Sequence, residues 1–442
     1  MIKYFYLIFL VFIFVINSDI NKINPPEPPI HASIQKSNGA FKLLVNGKDY
    51  YIRGGGGNTN FKKLGQIGGN SIRTWSATGA KSILDSAYAN GLSVTLGLEM
   101  GLERQGFDYS NQKMVNEQFE RIKKEINQYK NHPALLIWGI GNELELFTHK
   151  KEMWNAVQQI AAYLHKNDPN HLTTTMLAGV PQEHISEIIK RCHDLDLISI
   201  NAFKDLPYIK DKLHKSGWNK PYLITEWGPD GYWESSKTPW NAFIEASSTR
   251  KAELCKFRYQ NYIASSGSCL GSYVFYWGHK QERTHTVFSL FNEKNMESET
   301  IDIMYQLWKG KKRANLAPKV SFIFFEKKKP SANILMEPNQ TVEISINAMD
   351  PDNDPITYNW EIYFESNEQK SGGDKEKKPP QIEHCFTEKN HSSTKFKVPS
   401  IEGAYRIFAY TYDNHNHFST VNWPILVKSR SREYQKIPVQ SK

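Results

Sequence analysis

Cysteine is scarce: Cys192, Cys255, Cys269 and Cys385 are the only four in 442 residues, and none stands in a CxxC or Cys/His ligand spacing. That excludes a zinc-binding module and a dense disulfide scaffold, so no metal or cofactor is expected. Cys255 and Cys269 either pair, in an oxidising compartment, or stay free and buried. Long apolar runs are also missing, with one exception. After Lys3 an unbroken apolar stretch runs from Tyr4 to Ile16 and stops at polar Asn17, Ser18 and Asp19. This is too short to span a bilayer comfortably and has the length of a signal-peptide core. Residues 1–20 therefore read as a signal peptide or, since no small-x-small cleavage site follows, an amino-terminal anchor. The expected location is secreted, periplasmic or cell-surface. No internal repeat is present.

The net charge of +9 does not point to nucleic acid, because its basic residues fall in short runs: Lys309 to Arg313, Lys327 to Lys329, Lys375 to Lys378 and the tail from Lys428. Runs at linkers and loop tips are solvated charge, compatible with association with an acidic cell envelope. Aromatic residues make up 13% of the chain, with 11 Trp and 22 Tyr. One use for rings beyond those a core needs is stacking on the apolar faces of sugars.

Residues 21–40, rich in Pro and Asn at their start, read as an extended leader. From Phe41 onward β-prone runs alternate with helical stretches, the pattern of a parallel sheet with crossover helices. Strands are expected at Tyr50 to Arg53, Ser71 to Trp75, Ser93 to Leu98, Leu135 to Ile140, Leu172 to Leu177, Leu197 to Asn201, Tyr222 to Thr225 and Ser272 to Trp277. Eight such strands predict an α/β fold, a (β/α)8 TIM barrel over residues 41–310, close to the usual size of about 250 residues. Val115, Phe119, Ile122, Ile126 and Tyr129 give the helix before the fourth strand one apolar face, and Asn131-His132-Pro133 ends it. A basic linker is expected at 311–318. Short β-rich runs at Val342 to Ile346, Thr357 to Tyr363, Thr394 to Val398 and Ala404 to Tyr412 then predict a small all-β sandwich over 319–428, followed by a basic tail, 429–442.

In such a barrel the chemistry sits at the carboxyl ends of the strands. Glu143 follows the run Leu135 to Asn142, and Glu226 follows Tyr222 to Thr225, which places two carboxyls on roughly opposite sides of the mouth. Cleavage of a glycosidic bond with retention needs such a pair about 5–5.5 Å apart, one protonated and one ionised. Arg73, at the end of the second strand, would stabilise the ionised form of Glu226, and Asn142 is placed to bind the sugar's 2-hydroxyl.

Asn131-His132-Pro133, WGIGNE (Trp138 to Glu143), Asp168-Pro169-Asn170, LDLISIN (Leu195 to Asn201), KPYLITEWG (Lys220 to Gly228) and the opening VNGKDYYIRGGGGN (Val45 to Asn58) together resemble the barrel domain of glycoside hydrolase family 2. More broadly they are similar to the clan of retaining barrel glycosidases that includes families 5 and 72. The resemblance covers nearly all of residues 41–310 and implies Glu143 as acid/base and Glu226 as nucleophile of a glycosidase acting on a β-linked carbohydrate, with a β-glucan as the leading substrate. It also implies Trp277 as the aromatic platform under the reacting sugar and Asn201 as a substrate ligand. Glu99 and Glu103 are candidates for sugar hydroxyls, and Trp75 and Trp227 line subsites or simply pack. His279 and His285, in the loop after the eighth strand, are expected at the surface, with the cleft as the alternative.

Two departures stand out. No sandwich domain fits between the signal segment and Phe41, and Phe203 stands where family 2 has a Tyr that touches the nucleophile, so that hydrogen bond is missing unless Tyr208 or another group supplies it. The run Asp350 to Pro355 followed by Ile356 to Trp360, with Tyr410 to Asp413 as the late strand, resembles PKD-like and cadherin-like modules. A rigid turn is expected there, with Ca2+ binding as the alternative. A monomer is expected. The competing functions are a glucan transglycosidase using the same residues and a catalytically silent carbohydrate-binding or adhesion protein.

Overall fold

The computed structural model describes residues 27–368, 370 and 372–429. The expected signal peptide or anchor, 1–20, and all but the first residue of the expected tail lie outside the described residues. Among the described residues no helix is long and apolar enough to cross a membrane.

The chain begins with a small antiparallel sheet, β1 (Ala32–Ser37), β2 (Ala40–Val45) and β3 (Lys48–Tyr50). Part of the expected leader is thus structured. Ala32 and Leu43 pack against Ile52, Leu136, Leu197 and Leu223 near the starts of barrel strands, closing the amino-terminal end of the barrel.

Eight parallel strands form the closed barrel: β4 (Ile52–Gly56), β5 (Ser71–Arg73), β6 (Ser93–Leu98), β7 (Leu135–Asn142), β8 (Leu172–Ala178), β9 (Ile198–Asn201), β10 (Tyr222–Trp227) and β11 (Cys269–Val274). Both faces of these strands are covered, one by the barrel interior and one by helices, so β6 and β11 are buried along their whole length. The helix Gln112–Tyr129 shows how a crossover is made. The Asn111 side chain accepts from the amides of Lys113 and Met114, and Val115, Ile122 and Ile126 are buried against the sheet.

The first and last strands differ from expectation by a shift of register. Tyr50 belongs to β3, and the barrel strand runs into the glycines that follow it. A Cβ on Gly54 would meet the ring of Tyr273 at 2.2 Å, and one on Gly55 the ring of Trp277 at 2.7 Å. The glycine run is a strand because neighbouring aromatic rings fill the space that side chains would take. All four cysteines are free and buried.

Beyond the barrel lie β12 (Glu297–Ser298), β13 (Lys319–Phe325), β14 (Leu335–Met336), β15 (Thr341–Met349), β16 (Thr357–Phe364), β17 (Ser393–Lys397), β18 (Gly403–Tyr412) and β19 (His417–Val427). They form two sheets, β12-β19-β18-β16 with β14 on β19, and β13-β15-β17, enclosing a core around Trp360, Ile344, Phe396 and Ile407. The two parts share a sheet, since β12 belongs to the barrel's own chain segment and pairs in parallel with the start of β19. The expected linker is tied down as well. Arg313 reaches Glu297 and Asp302 at 2.8 and 2.7 Å, the amide of Ala317 donates to Asp302, and Ala317 is fully buried. Asp350, Asp354 and Asp413 bring one carboxylate oxygen each within 4.8 Å of the others. Asp350 accepts from the amides of Asp352 and Asp354, and Asp413 from those of His415 and His417, so these carboxylates brace their own loops.

The barrel–sandwich contact is buried and polar. Arg406 on β18 donates to Glu365, to Asn422 and to the carbonyl of Phe243 on the barrel side, the last two at 2.7 Å. Removing a buried ion-pair partner leaves its carboxylate uncompensated. Arg406→Met is therefore expected to lower stability by about 3–5 kcal/mol in chemical denaturation, and a loss near zero would show that this contact does not hold the domains together.

Candidate active site

The carboxyl ends of β5, β7, β9 and β10 converge on one cluster of polar side chains. Glu226 Oε1 accepts from Arg73 Nη1 at 2.7 Å, from Trp75 Nε1 at 2.8 Å and from Asn201 Nδ2 at 3.1 Å. Arg73 is wholly buried, and its Nη2 donates to Asn142 Oδ1 at 2.5 Å. The same Asn201 nitrogen lies 2.9 Å from Glu143 Oε1 and 3.2 Å from Asn142 Oδ1, while Asn201 Oδ1 accepts from Thr225. Because one nitrogen touches both carboxylates, their Oε1 atoms are at most about 6 Å apart, short of the ~6.5–9.5 Å separation that leaves room for an intervening water.

Two features of the backbone aim Glu143 at this cluster. Its amide donates to the carbonyl of Met176 at 2.8 Å, and its φ is +50°, left-handed for a residue with a Cβ. Such a conformation costs roughly 1–2 kcal/mol and persists where the surroundings enforce it. Burial, reinforced by the charge of Glu226, pushes the Glu143 carboxyl up to about 7. Glu226 sits among three N–H donors, one of them cationic.

These groups open into a cleft of about 1500 Å3. One wall is aromatic. Trp75 stacks on Tyr276 with ring centres 5.9 Å apart and meets Phe275 edge-on, and Phe203 and Phe288 continue the surface.

Residues 82–297, a little under half of the chain, match the family described as glycosyl hydrolases family 2, TIM barrel domain. Over those residues the barrel is similar to the catalytic barrel of that family. No curated protein matches the chain. Among solved structures, an FMN-binding beta-glucuronidase from Facaelibacterium prausnitzii L2-6 is 17% identical with a TM-score of 0.50, covering 90% of this chain and 59% of its own. A b-glucuronidase from Ruminococcus gnavus is 14% identical with a TM-score of 0.49, covering 63% of this chain and 52% of its own. The chain therefore spans little more than half the length of these proteins, and at such identities the likeness concerns the fold.

Within this barrel, Glu143, Glu226, Arg73, Asn142 and Asn201 come together, and Glu99 lies exposed on the cleft wall. Trp277 does not join them. It is fully buried below the cleft, packed on Gly55 and edge-on to Phe291, because β11 ends at Val274 and the chain has already turned. Trp75 and Tyr276 supply the rings in the cleft instead. Trp227 is core. Tyr208 is 61% exposed and takes no part, and the donor that Phe203 lacks is the indole N–H of Trp75. Glu103 accepts from Thr148, linking the loops after β6 and β7. His285 is not a surface residue: it is buried between barrel and sandwich, stacked on Phe408 and bonded to the Tyr410 hydroxyl.

Sequence reasoning missed Glu145 and Arg104. Burial pushes the Glu145 carboxyl up to about 8, and it accepts from the amide of Ala178 at 2.6 Å, tying the loop that carries Glu143 to the end of β8. Nothing in the spacing Glu143-Leu144-Glu145 announces that contact.

A carbon-13 NMR titration of the carboxyls should place the Glu143 midpoint near about 7. In Glu226→Gln it should fall, while staying above the ordinary carboxylate range because burial, the larger cause, remains. An unchanged midpoint would mean that the two carboxyls do not interact.

Proposed function

We propose that the chain is a secreted retaining glycosidase that cleaves a β-linked poly- or oligosaccharide, with a β-glucan as the leading substrate. The observation that carries this is a pair of carboxyls bridged by one amide and placed in unlike settings: Glu143 raised by burial, Glu226 bonded to the buried Arg73 guanidinium. That division of labour is what double displacement requires.

Glu226 attacks the anomeric carbon as Glu143 passes its proton to the glycosidic oxygen, so the leaving sugar departs neutral and a glycosyl ester forms on Glu226. Glu143, now ionised, takes a proton from water. The resulting hydroxide equivalent attacks the anomeric carbon, the ester bond breaks, and both carboxyls return to their starting states. With its oxygen engaged by Arg73, Asn142 has its amide N–H groups left for a sugar hydroxyl. Trp75 stacks on Tyr276 and holds Glu226 with its ring nitrogen, so the absence of a tyrosine at Phe203 leaves the nucleophile supported. This favours catalysis over a silent binding role.

The first test is intact mass spectrometry after incubation with a panel of 2-deoxy-2-fluoro glycosides. A covalent adduct on the peptide containing Glu226, absent in Glu226→Gln, is expected, and no adduct with no polysaccharide hydrolysis would overturn the reading. A general acid must be protonated, so kcat/KM should fall as pH rises through about 7, and Glu143→Gln should lose that limb along with most activity on substrates with poor leaving groups. Trp75→Phe removes a hydrogen bond to a charged oxygen and should lower kcat about 10- to 100-fold; a change below twofold would remove the indole from the mechanism.

A further inference from the structure

Where the sandwich joins the barrel, buried oxygen acceptors outnumber the donors offered to them. The turn between β15 and β16 carries Asp350 and Asp354, the turn after β18 carries Asp413, and one carboxylate oxygen of each lies within 4.8 Å of the others. Among the described residues no Lys or Arg pairs with any of the three. His415 Nε2 lies 3.6 Å from Asp354, and His417 Nδ1 lies 2.6 Å from Asp413. Asp350 and Asp413 are buried, so the mutual repulsion of these carboxylates is weakly screened.

Hydrogen bonding leaves two oxygens over. Asp350 is only 7% exposed; its Oδ1 accepts from the amides of Asp352 and Asp354 at 2.8 and 3.2 Å, while Oδ2, on the same carboxylate, is buried with no partner. Asn315, on the segment joining barrel to sandwich, donates through Nδ2 to Asp354, and its Oδ1 is likewise buried with no partner. The next amide, that of Leu316, donates to Asp352 at 2.7 Å and keeps this segment against the turn. Carboxylate and amide oxygens can only accept. Buried acceptors of this kind are almost always satisfied, and two left over beside three carboxylates are what a cation satisfies.

We infer that Asp350, Asp354 and Asp413, with Asn315, bind one Ca2+ ion. The ligand atoms are all hard oxygens, which suits Ca2+ and does not suit a thiolate- or imidazole-seeking metal. Oxygens within 4.8 Å of one another can share a single ion at the bond length of about 2.3–2.6 Å that Ca2+ takes. The four side chains supply part of its usual shell of about 6–8 oxygens, and water supplies the rest. Asp350 then has two separate tasks, Oδ1 shaping the turn and Oδ2 holding the ion. Asn315 belongs to the segment that Arg313 and Ala317 fasten to Asp302 of the barrel. The ion therefore ties that segment to two turns of the sandwich and stiffens the join between the domains. None of this depends on the catalytic reading above.

The test is calorimetric titration of CaCl2 into the full chain after metal has been removed with EGTA. One Ca2+ per chain should bind with a Kd of about 0.1–1 mM, the range of extracellular modules. At a free concentration of about 100 times Kd, the unfolding equilibrium constant in urea should fall about 100-fold. Asp350→Asn keeps an oxygen for the two turn amides but removes the charge, and should weaken binding at least about tenfold. Asn315→Ala lies outside the turn and should weaken it by a similar factor, so the prediction stands even where the first variant folds poorly. No binding up to about 10 mM Ca2+, well above that range, overturns the inference. So does binding that survives both substitutions, or Mg2+ bound more tightly than Ca2+.

Discussion

A fully buried guanidinium governs the architecture of the barrel mouth. Arg73 has no access to water, and a charge in that position persists only when paired and hydrogen-bonded. Its partners come from three other strand ends: Glu226 from β10, Asn142 from β7, and, through the shared amide of Asn201, the end of β9. The polar constellation is therefore rigid before any substrate arrives. Donors already point at Glu226, and the left-handed turn at Glu143 is held by the Met176 carbonyl and the neighbouring Glu145–Ala178 contact. Preorganised dipoles of this kind need no reorientation during reaction, which is where much of an enzyme's advantage over water lies.

The second constraint is the mating of barrel and sandwich. β19 is buried on both faces, one against the sandwich core and one against the barrel, so Ser419, Thr420 and Asn422 all lie inside. The Ser419 hydroxyl donates to the Pro318 carbonyl, Asn422 accepts from Arg406, and the backbone amide of Thr420 donates to Ser248. A polar interface satisfied in this way is directional, and with the shared β12–β19 pairing it fixes how the sandwich sits on the barrel. The placement of Asp374, a sandwich residue, at the cleft follows from that orientation.

The long strand β19 also shows why part of the fold was hidden. His417–Val427 mixes Ser, Thr, Asn and Pro424 with apolar residues, so it has neither the alternation of a half-exposed strand nor the run of a fully apolar one. The barrel strands were readable because their environment is simple, apolar on both sides, and Ser93–Leu98 has the bounds expected from the sequence. The glycines of β4 gave no such signal, since their strand identity depends on Tyr273 and Trp277 from elsewhere in the chain.

By itself the sequence determined the fold class and which polar residues stand at strand ends, because those follow from local periodicity and from a residue's place at the end of an apolar run. Arg73, Asn142, Glu143, Asn201 and Glu226 were legible for that reason. Only the tertiary structure decided which ring faces the cleft, Trp75 and Tyr276 and not Trp277, that an indole replaces the missing tyrosine hydroxyl beside Glu226, and that sandwich residues reach the cleft. Each of these depends on contacts between residues tens to hundreds of positions apart, Trp75 with Tyr276 and Arg104 with Asp374, and no local pattern records a distance of that kind.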